Sequence, residues 1–120
     1  MLFRSYNLSR DSRLAIVSHG YADGFFRSLS ATNSRPGGKV AIRGKLCPVI
    51  GKVSMDQIVV DITELGPDIP SPGEGAEVLG PNISVDDQAD AAGTIGYEVL
   101  TALKGRYNRN YVGDGKLPPE

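Results

Sequence analysis

The sequence predicts a mainly β fold, a small β-barrel of about seven to eight short strands with roughly two short helices. Three observations point there. Fifteen glycines and eight prolines in 120 residues punctuate the chain too often for long helices. Between them run short segments rich in Val, Ile and Leu, several alternating apolar with polar residues as a half-buried strand does. The length suits one compact domain over residues 1–120, without a linker or an internal repeat to divide it.

Residues 13–18 (RLAIVS) read as a buried strand, closed by Gly20. Tyr21-Ala22-Asp23-Gly24 has turn chemistry, because Asp and Gly reach positive φ at little cost. Residues 31–38 (ATNSRPGG) form a surface loop. Residues 39–43 (KVAIR) alternate again, and Gly44-Lys45 follows as a tight hairpin turn. Residues 46–50 continue as a strand that Pro48 assigns to an edge or a bulge, with Gly51 marking the bulge. Residues 52–63 (KVSMDQIVVDIT) hold the strongest strand pattern, with Ile58, Val60 and Ile62 facing one side.

Residues 66–75 (GPDIPSPGEG) make a long loop, and residues 76–80 a further short strand. Ser84 caps a helix through residues 88–92, with Asp86 and Asp87 favouring the positive end of its dipole. Thr94 caps a second helix that buries Ile95, Val99, Leu100 and Leu103 and stops at Lys104-Gly105. Residues 106–112 (RYNRNYV) read as a last strand, and residues 113–120 as a loose tail.

Charge is nearly balanced at −1, so no basic surface for nucleic acid or an anionic membrane is expected. The longest apolar runs, residues 14–17 and 58–60, fall far short of the about 20 residues that span a bilayer. Residues 1–13 carry Arg4, Arg10, Asp11 and Arg13 without an apolar core, unlike a secretory signal. Cys47 stands alone, which excludes an internal disulfide and suits a reduced cytoplasm. With His19 the sole histidine and Cys47 the sole cysteine, no metal site is expected, and no nucleophile–base pair stands at a recognisable spacing in the sequence.

Three polar interruptions remain. GYADG puts a phenol at a turn, SMDQ breaks a strand around a methionine, and GTIGYE puts a second phenol in a helix's first turn, where anion contacts are natural. On residue chemistry alone the plainer reading leads. Tyr21 and Tyr97 would be packing residues with wet tips, and Met55 would fill a core gap.

Taken together, GYADGF, CPVIGKVSMDQIVVDIT, DDQADAAGTIGYEVLTAL and YNRNYV resemble the C-terminal domain of bacterial alanine racemases, in order and spacing, over residues 11–112. The resemblance implies a pyridoxal-phosphate (PLP)-dependent isomerase with an N-terminal TIM-type barrel that carries the cofactor lysine. Its subunits pair head to tail as a homodimer, each active site draws on both chains, and a lysine and a tyrosine on opposite faces exchange the α-proton. By the same resemblance, Met55, followed by Asp56, holds the substrate carboxylate with its backbone N–H. Tyr97 contacts the cofactor phosphate. Tyr21 lines the substrate entrance, with Lys52 and Ile95 farther out. Ser54 and Gly96 stand where the family often has Cys and Asn, and both leave the backbone roles open.

The family's catalytic tyrosine lies nineteen residues upstream of the entrance tyrosine, which falls here at Leu2. Using Tyr6 instead would need a four-residue deletion, with Asn7 where the family has Gly. The chain is therefore expected to lack the catalytic tyrosine and the barrel domain, and to be inactive and free of PLP by itself. Its expected partners are that barrel, from its own and the partner subunit, and alanine. Its role would be D-alanine supply for peptidoglycan. The alternatives are a stand-alone, non-catalytic β-barrel module for binding or oligomerisation, and a domain of a related racemase acting on serine or basic amino acids. An isolated copy is expected to expose an apolar, aromatic-rich face around Tyr21, Met55 and Tyr97, and to self-associate weakly.

Overall fold

A computed structural model describes residues 11–103 in full, together with the backbone of Leu2, Phe3, Tyr6 and Asn7. Leu2–Phe3 (β1) and Tyr6–Asn7 (β2) pair antiparallel as a short hairpin, in a region where no strand is expected. The main sheet joins β3 (Leu14–Val17), β4 (Lys39–Ile42), β5 (Lys45–Ile50) and β6 (Ile58–Asp61) in the order β3-β6-β5-β4. All three neighbouring pairs are antiparallel. Two helices follow, α1 (Val85–Ala92) and α2 (Gly96–Thr101).

The fold is mainly β, as expected, but the sheet is open. Among the described residues it has four strands and does not close into a barrel. Closure requires the two end strands to pair with each other. Here β3 pairs with β6, while the free side of β4 is occupied at Ala41, which exchanges both backbone hydrogen bonds with Glu77 (2.8 and 2.7 Å). The strand expected at residues 76–80 reduces to this bridge and a second isolated one, Gly80 with Ile83. The Glu77 carboxylate accepts the N–H groups of Asn82 (2.7 Å) and Ile83 (3.0 Å), turning the chain back before a strand can extend.

Period-two alternation builds the core. Ile58, Val60 and Ile62 are 1%, 0% and 2% exposed, and each such side chain contributes about 1.5–3 kcal/mol when buried. They pack with Val40, Val49 and Phe25. By contrast, β3 is an edge strand and only half buried, with Ile16 exposed. The expected buried strand is therefore covered on one side only.

The β4–β5 hairpin turns at Arg43-Gly44, one residue earlier than expected, because Lys45 already pairs with Ile42. Both turn residues have positive φ (55° and 78°), as a two-residue hairpin of this twist demands. Arg43 tolerates that conformation while its guanidinium bridges Glu74 (2.7 and 3.0 Å) and the Asp68 carbonyl (3.0 Å). Pro48 lies in an inner strand, yet β5 meets β6 only at Val49 and Ile50, so its missing N–H costs no ladder bond there. Gly51 (φ 72°) ends β5 instead of bulging it. The continuous strand expected over residues 52–63 reduces to β6, because Ser54–Gln57 folds into a turn (Ser54 N–H to Gln57 O, 3.1 Å).

Ser84 caps α1 as its sequence suggests, accepting the Asp87 N–H at 3.0 Å. Thr94 does not cap α2. Its N–H goes back to the Ala89 carbonyl (2.9 Å) and closes α1 behind Gly93 (φ 75°), so Ile95 becomes the N-cap. Of the four residues expected on the buried face of α2, only Val99 is buried, whereas Ile95, Leu100 and Leu103 are exposed. The helix stop at Lys104-Gly105, the strand at residues 106–112 and the tail at residues 113–120 lie outside the described residues.

Candidate functional site

Residues 20–24 form a single 3₁₀ turn over Tyr21–Asp23, closed by Gly24 with φ of 99°. The turn folds onto itself through its own aspartate. Buried Asp23 accepts the Gly20 N–H on Oδ2 (3.2 Å), and the Gly20 carbonyl accepts the N–H groups of Asp23 (2.9 Å) and Phe25 (3.1 Å). The next two N–H groups face outward, and each finds a carbonyl on the loop between β5 and β6. Tyr21 N–H donates to Ser54 O and Ala22 N–H to Met55 O, both at 3.0 Å.

That loop is itself anchored. Val53 is buried and its N–H donates to Ser30 Oγ at 2.8 Å, while the Gly51 carbonyl accepts the Ala31 N–H at 2.8 Å. With both ends held, Met55 and Asp56 stand exposed at the tip beside Tyr21. The peptide between Ser54 and Met55 is trans and planar, so a carbonyl turned toward Tyr21 aims the Met55 N–H away from the turn. Among the described residues no acceptor meets that N–H. The Tyr21 ring is 42% exposed and lies 5.9 Å from the Arg27 guanidinium carbon, within cation–π range.

The third expected element reaches the turn from its far end. The carbonyl of Ala102, the C-cap residue of α2, lies 2.7 Å from where a Cβ on Gly24 would sit. Tyr97 is in the first turn of the same helix, about 7 Å farther along its axis, and is 80% exposed. The structure thus joins the Tyr21 turn to the Met55 loop by backbone hydrogen bonds and brings the end of α2, the helix that carries Tyr97, against Gly24. Lys52 and Ile95 are exposed, and no contact ties either to the Tyr21 turn.

His19, just before the turn, packs its ring edge-on to Phe25 with centroids 5.6 Å apart. Burial holds its imidazole below the ordinary range, against an opposing pull from Asp23. Burial likewise pushes the thiol of core residue Cys47 up, so it is no ready nucleophile. Among the described residues no group of three or more His, Cys, Asp or Glu could hold a metal, and no helix is long and apolar enough to cross a membrane.

Sequence reasoning missed three residues that hold this arrangement. Gly20 approaches the loop so closely that a Cβ would lie 2.2 Å from Ser54 O. Asp23 read only as a turn former. Buried Gln88 clamps α1 to the sheet by donating from Nε2 to the Lys39 (3.0 Å) and Val78 (2.8 Å) carbonyls. Only the Asp-Gly pair carried a local signal.

The arrangement defines a class: a mainly β domain that presents one turn, one loop tip and one short helix as a partly apolar rim. The chain belongs to the family described as alanine racemase, C-terminal domain, whose profile matches residues 3–111. The biosynthetic alanine racemase of Agrobacterium fabrum is 45% identical over 114 residues, covering 90% of this chain and 29% of the relative. The alanine racemase of Rhizobium meliloti is 44% identical over 115 residues, 91% and 30% of the two chains. Among solved structures, alanine racemase from Bartonella henselae with covalently bound pyridoxal phosphate matches with a TM-score of 0.75 at 40% identity, over 84% of this chain and 26% of that one. Biosynthetic alanine racemase from Pseudomonas aeruginosa matches with a TM-score of 0.76 at 34% identity, over 90% and 28%. The chain spans less than a third of the length of each of these relatives.

Proposed function

We propose that this chain works as the C-terminal domain of a cytoplasmic, homodimeric, PLP-dependent alanine racemase that supplies D-alanine for peptidoglycan precursors. The observation that carries the reading is the Ser54–Met55 peptide, whose carbonyl is held by the Tyr21 turn while the Met55 N–H points outward without an acceptor among the described residues. An N–H so fixed is suited to a substrate carboxylate brought by the barrel of a partner subunit, with Asp56 next to it. Tyr97 offers an exposed phenol at the start of α2, a donor for the cofactor phosphate. Tyr21, with Lys52 and Ile95 beyond it, borders the substrate entrance.

These donors fit a phosphate and a carboxylate, and nothing in the rim fits a metal. When bound, PLP supplies the electron sink that acidifies the α-hydrogen of alanine. This chain's own residues bind, orient and screen. Leu2 stands at the position the resemblance assigns to the proton-exchanging tyrosine, and a hydrocarbon side chain moves no proton. The 120 residues by themselves are accordingly proposed to be inactive.

The test joins residues 11–120 to the barrel and catalytic tyrosine of the Agrobacterium relative. The chimera is expected to racemise alanine, and Tyr97→Phe to weaken PLP binding roughly tenfold through one lost charge-assisted hydrogen bond. A folded, PLP-loaded chimera without alanine turnover would overturn the reading.

A further inference from the structure

We propose that Asp23 and Gly20 are positioning residues that aim the Met55 N–H at the substrate carboxylate; the inference rests on the role given to Met55 above. The physical case begins with the turn. An aspartate that takes the Gly20 N–H on its own carboxylate (3.2 Å), while its backbone N–H goes to the Gly20 carbonyl (2.9 Å), folds the chain so tightly that the two intervening N–H groups must face out. Those are Tyr21 and Ala22, and they seize the carbonyls of Ser54 and Met55, both at 3.0 Å. The two carbonyls belong to the peptide planes on either side of the Met55 Cα, and the first of these planes carries the Met55 N–H. Fixing both planes leaves the Met55 N–H one direction, opposite to the Ser54 carbonyl.

Gly20 makes that approach possible for a steric reason alone. Its backbone is extended (φ −159°, ψ −163°), a conformation any residue adopts. A Cβ there would nevertheless lie 2.2 Å from Ser54 O and 2.5 Å from Met55 O. Any side chain would push the turn off the loop and release both planes. Asp23 is buried and does not reach the rim, so its effect on substrate passes through Met55.

Amide exchange in the 120-residue chain tests the lock without the cofactor. Asp23→Ala is expected to speed exchange at Tyr21 and Ala22 about tenfold, the worth of one net hydrogen bond, while Val59 and Val60 amides in β6 stay protected. Asp23→Asn keeps an acceptor oxygen and is expected to restore protection. Unchanged exchange at Tyr21 and Ala22 in Asp23→Ala would overturn the lock. Should that variant fail to fold, a folded Asp23→Asn that loses protection at both amides would overturn it equally.

In the chimeric racemase, Asp23→Ala is expected to raise KM for alanine about tenfold with kcat and PLP absorbance nearly unchanged, the pattern of lost ground-state binding. Gly20→Ala should act the same way. A fall in kcat at constant KM, or a loss of PLP, would overturn the assignment to carboxylate binding. An inactive parent chimera would defeat the racemase reading instead, and the exchange data would still decide the lock.

Discussion

Strand β6 and the rim are built from similar residues and treat them in opposite ways. In β6, Ile58 and Val60 are 1% and 0% exposed, whereas Ile95 and Leu100 on and beside α2 are 65% and 47% exposed. Met55 and Tyr97 join the exposed set at 52% and 80%. The inner strand β6 buries Ile58 and Val60 within the chain, whereas the edge strand β3 leaves Ile16 exposed and α2 buries only Val99. Among the described residues, the apolar stripe of α2 is covered only at Val99, the pattern expected of a helix that packs against a partner surface.

The sharpest way to break the contrast is to cut a side chain on each side of it. Ile58→Ala should cost about 2–5 kcal/mol in urea unfolding, as large-to-small changes in packed cores do. A loss under about 1 kcal/mol would mean the sheet is no better packed than the rim.

Gln88→Leu comes next, at about 1–3 kcal/mol, because two partly buried carbonyls lose their donor at once. Its expected signature is a loosened α1 with faster exchange at Ala89 and Ala92. Unaltered stability would show that water replaces the amide and that the clamp is expendable.

A smaller effect concerns His19, packed against Phe25 just before the Tyr21 turn. His19 has a folded-state pKa lowered by burial, so it binds fewer protons folded than unfolded once pH drops below about 6.5. Stability is full above that value and is lost as pH falls through the lowered folded pKa. His19→Gln should flatten the decline of the urea midpoint between about pH 7 and 5. A decline that survives the substitution assigns it to other groups.

Least of all should Ile95→Asp change stability, within about 0.5 kcal/mol for an exposed position. The same variant should lower self-association of the isolated chain in sedimentation. A wild-type chain that stays monomeric at high concentration would remove the evidence that the rim seeks a partner.

How legible all this was depends on the range of the interactions. The alternation at Ile58, Val60 and Ile62 and the Ser84 cap were readable, because each rests on residues a few positions apart. Thr94 misled for an instructive reason: its N–H closes α1 behind Gly93, a use that the cap preference of its side chain does not reveal. The rim residues Tyr21, Met55 and Tyr97 were reached through ordered motifs. Their chemistry alone favoured plain packing roles, and their exposure of 42%, 52% and 80% speaks against those.

By itself, then, the sequence determined the mainly β character, the turn at Gly24, the Ser84 helix cap, the inward face of β6 and membership of the family, all carried by local chemistry and ordered motifs. Only the tertiary structure decided that the sheet stays open, because Glu77 reaches Ala41 across 36 residues of chain. It alone joined Gly20 to Ser54 and Gln88 to Lys39, contacts set by how close two distant backbones come. No periodicity encodes such distances, and the orientation of the Met55 N–H rests on one of them.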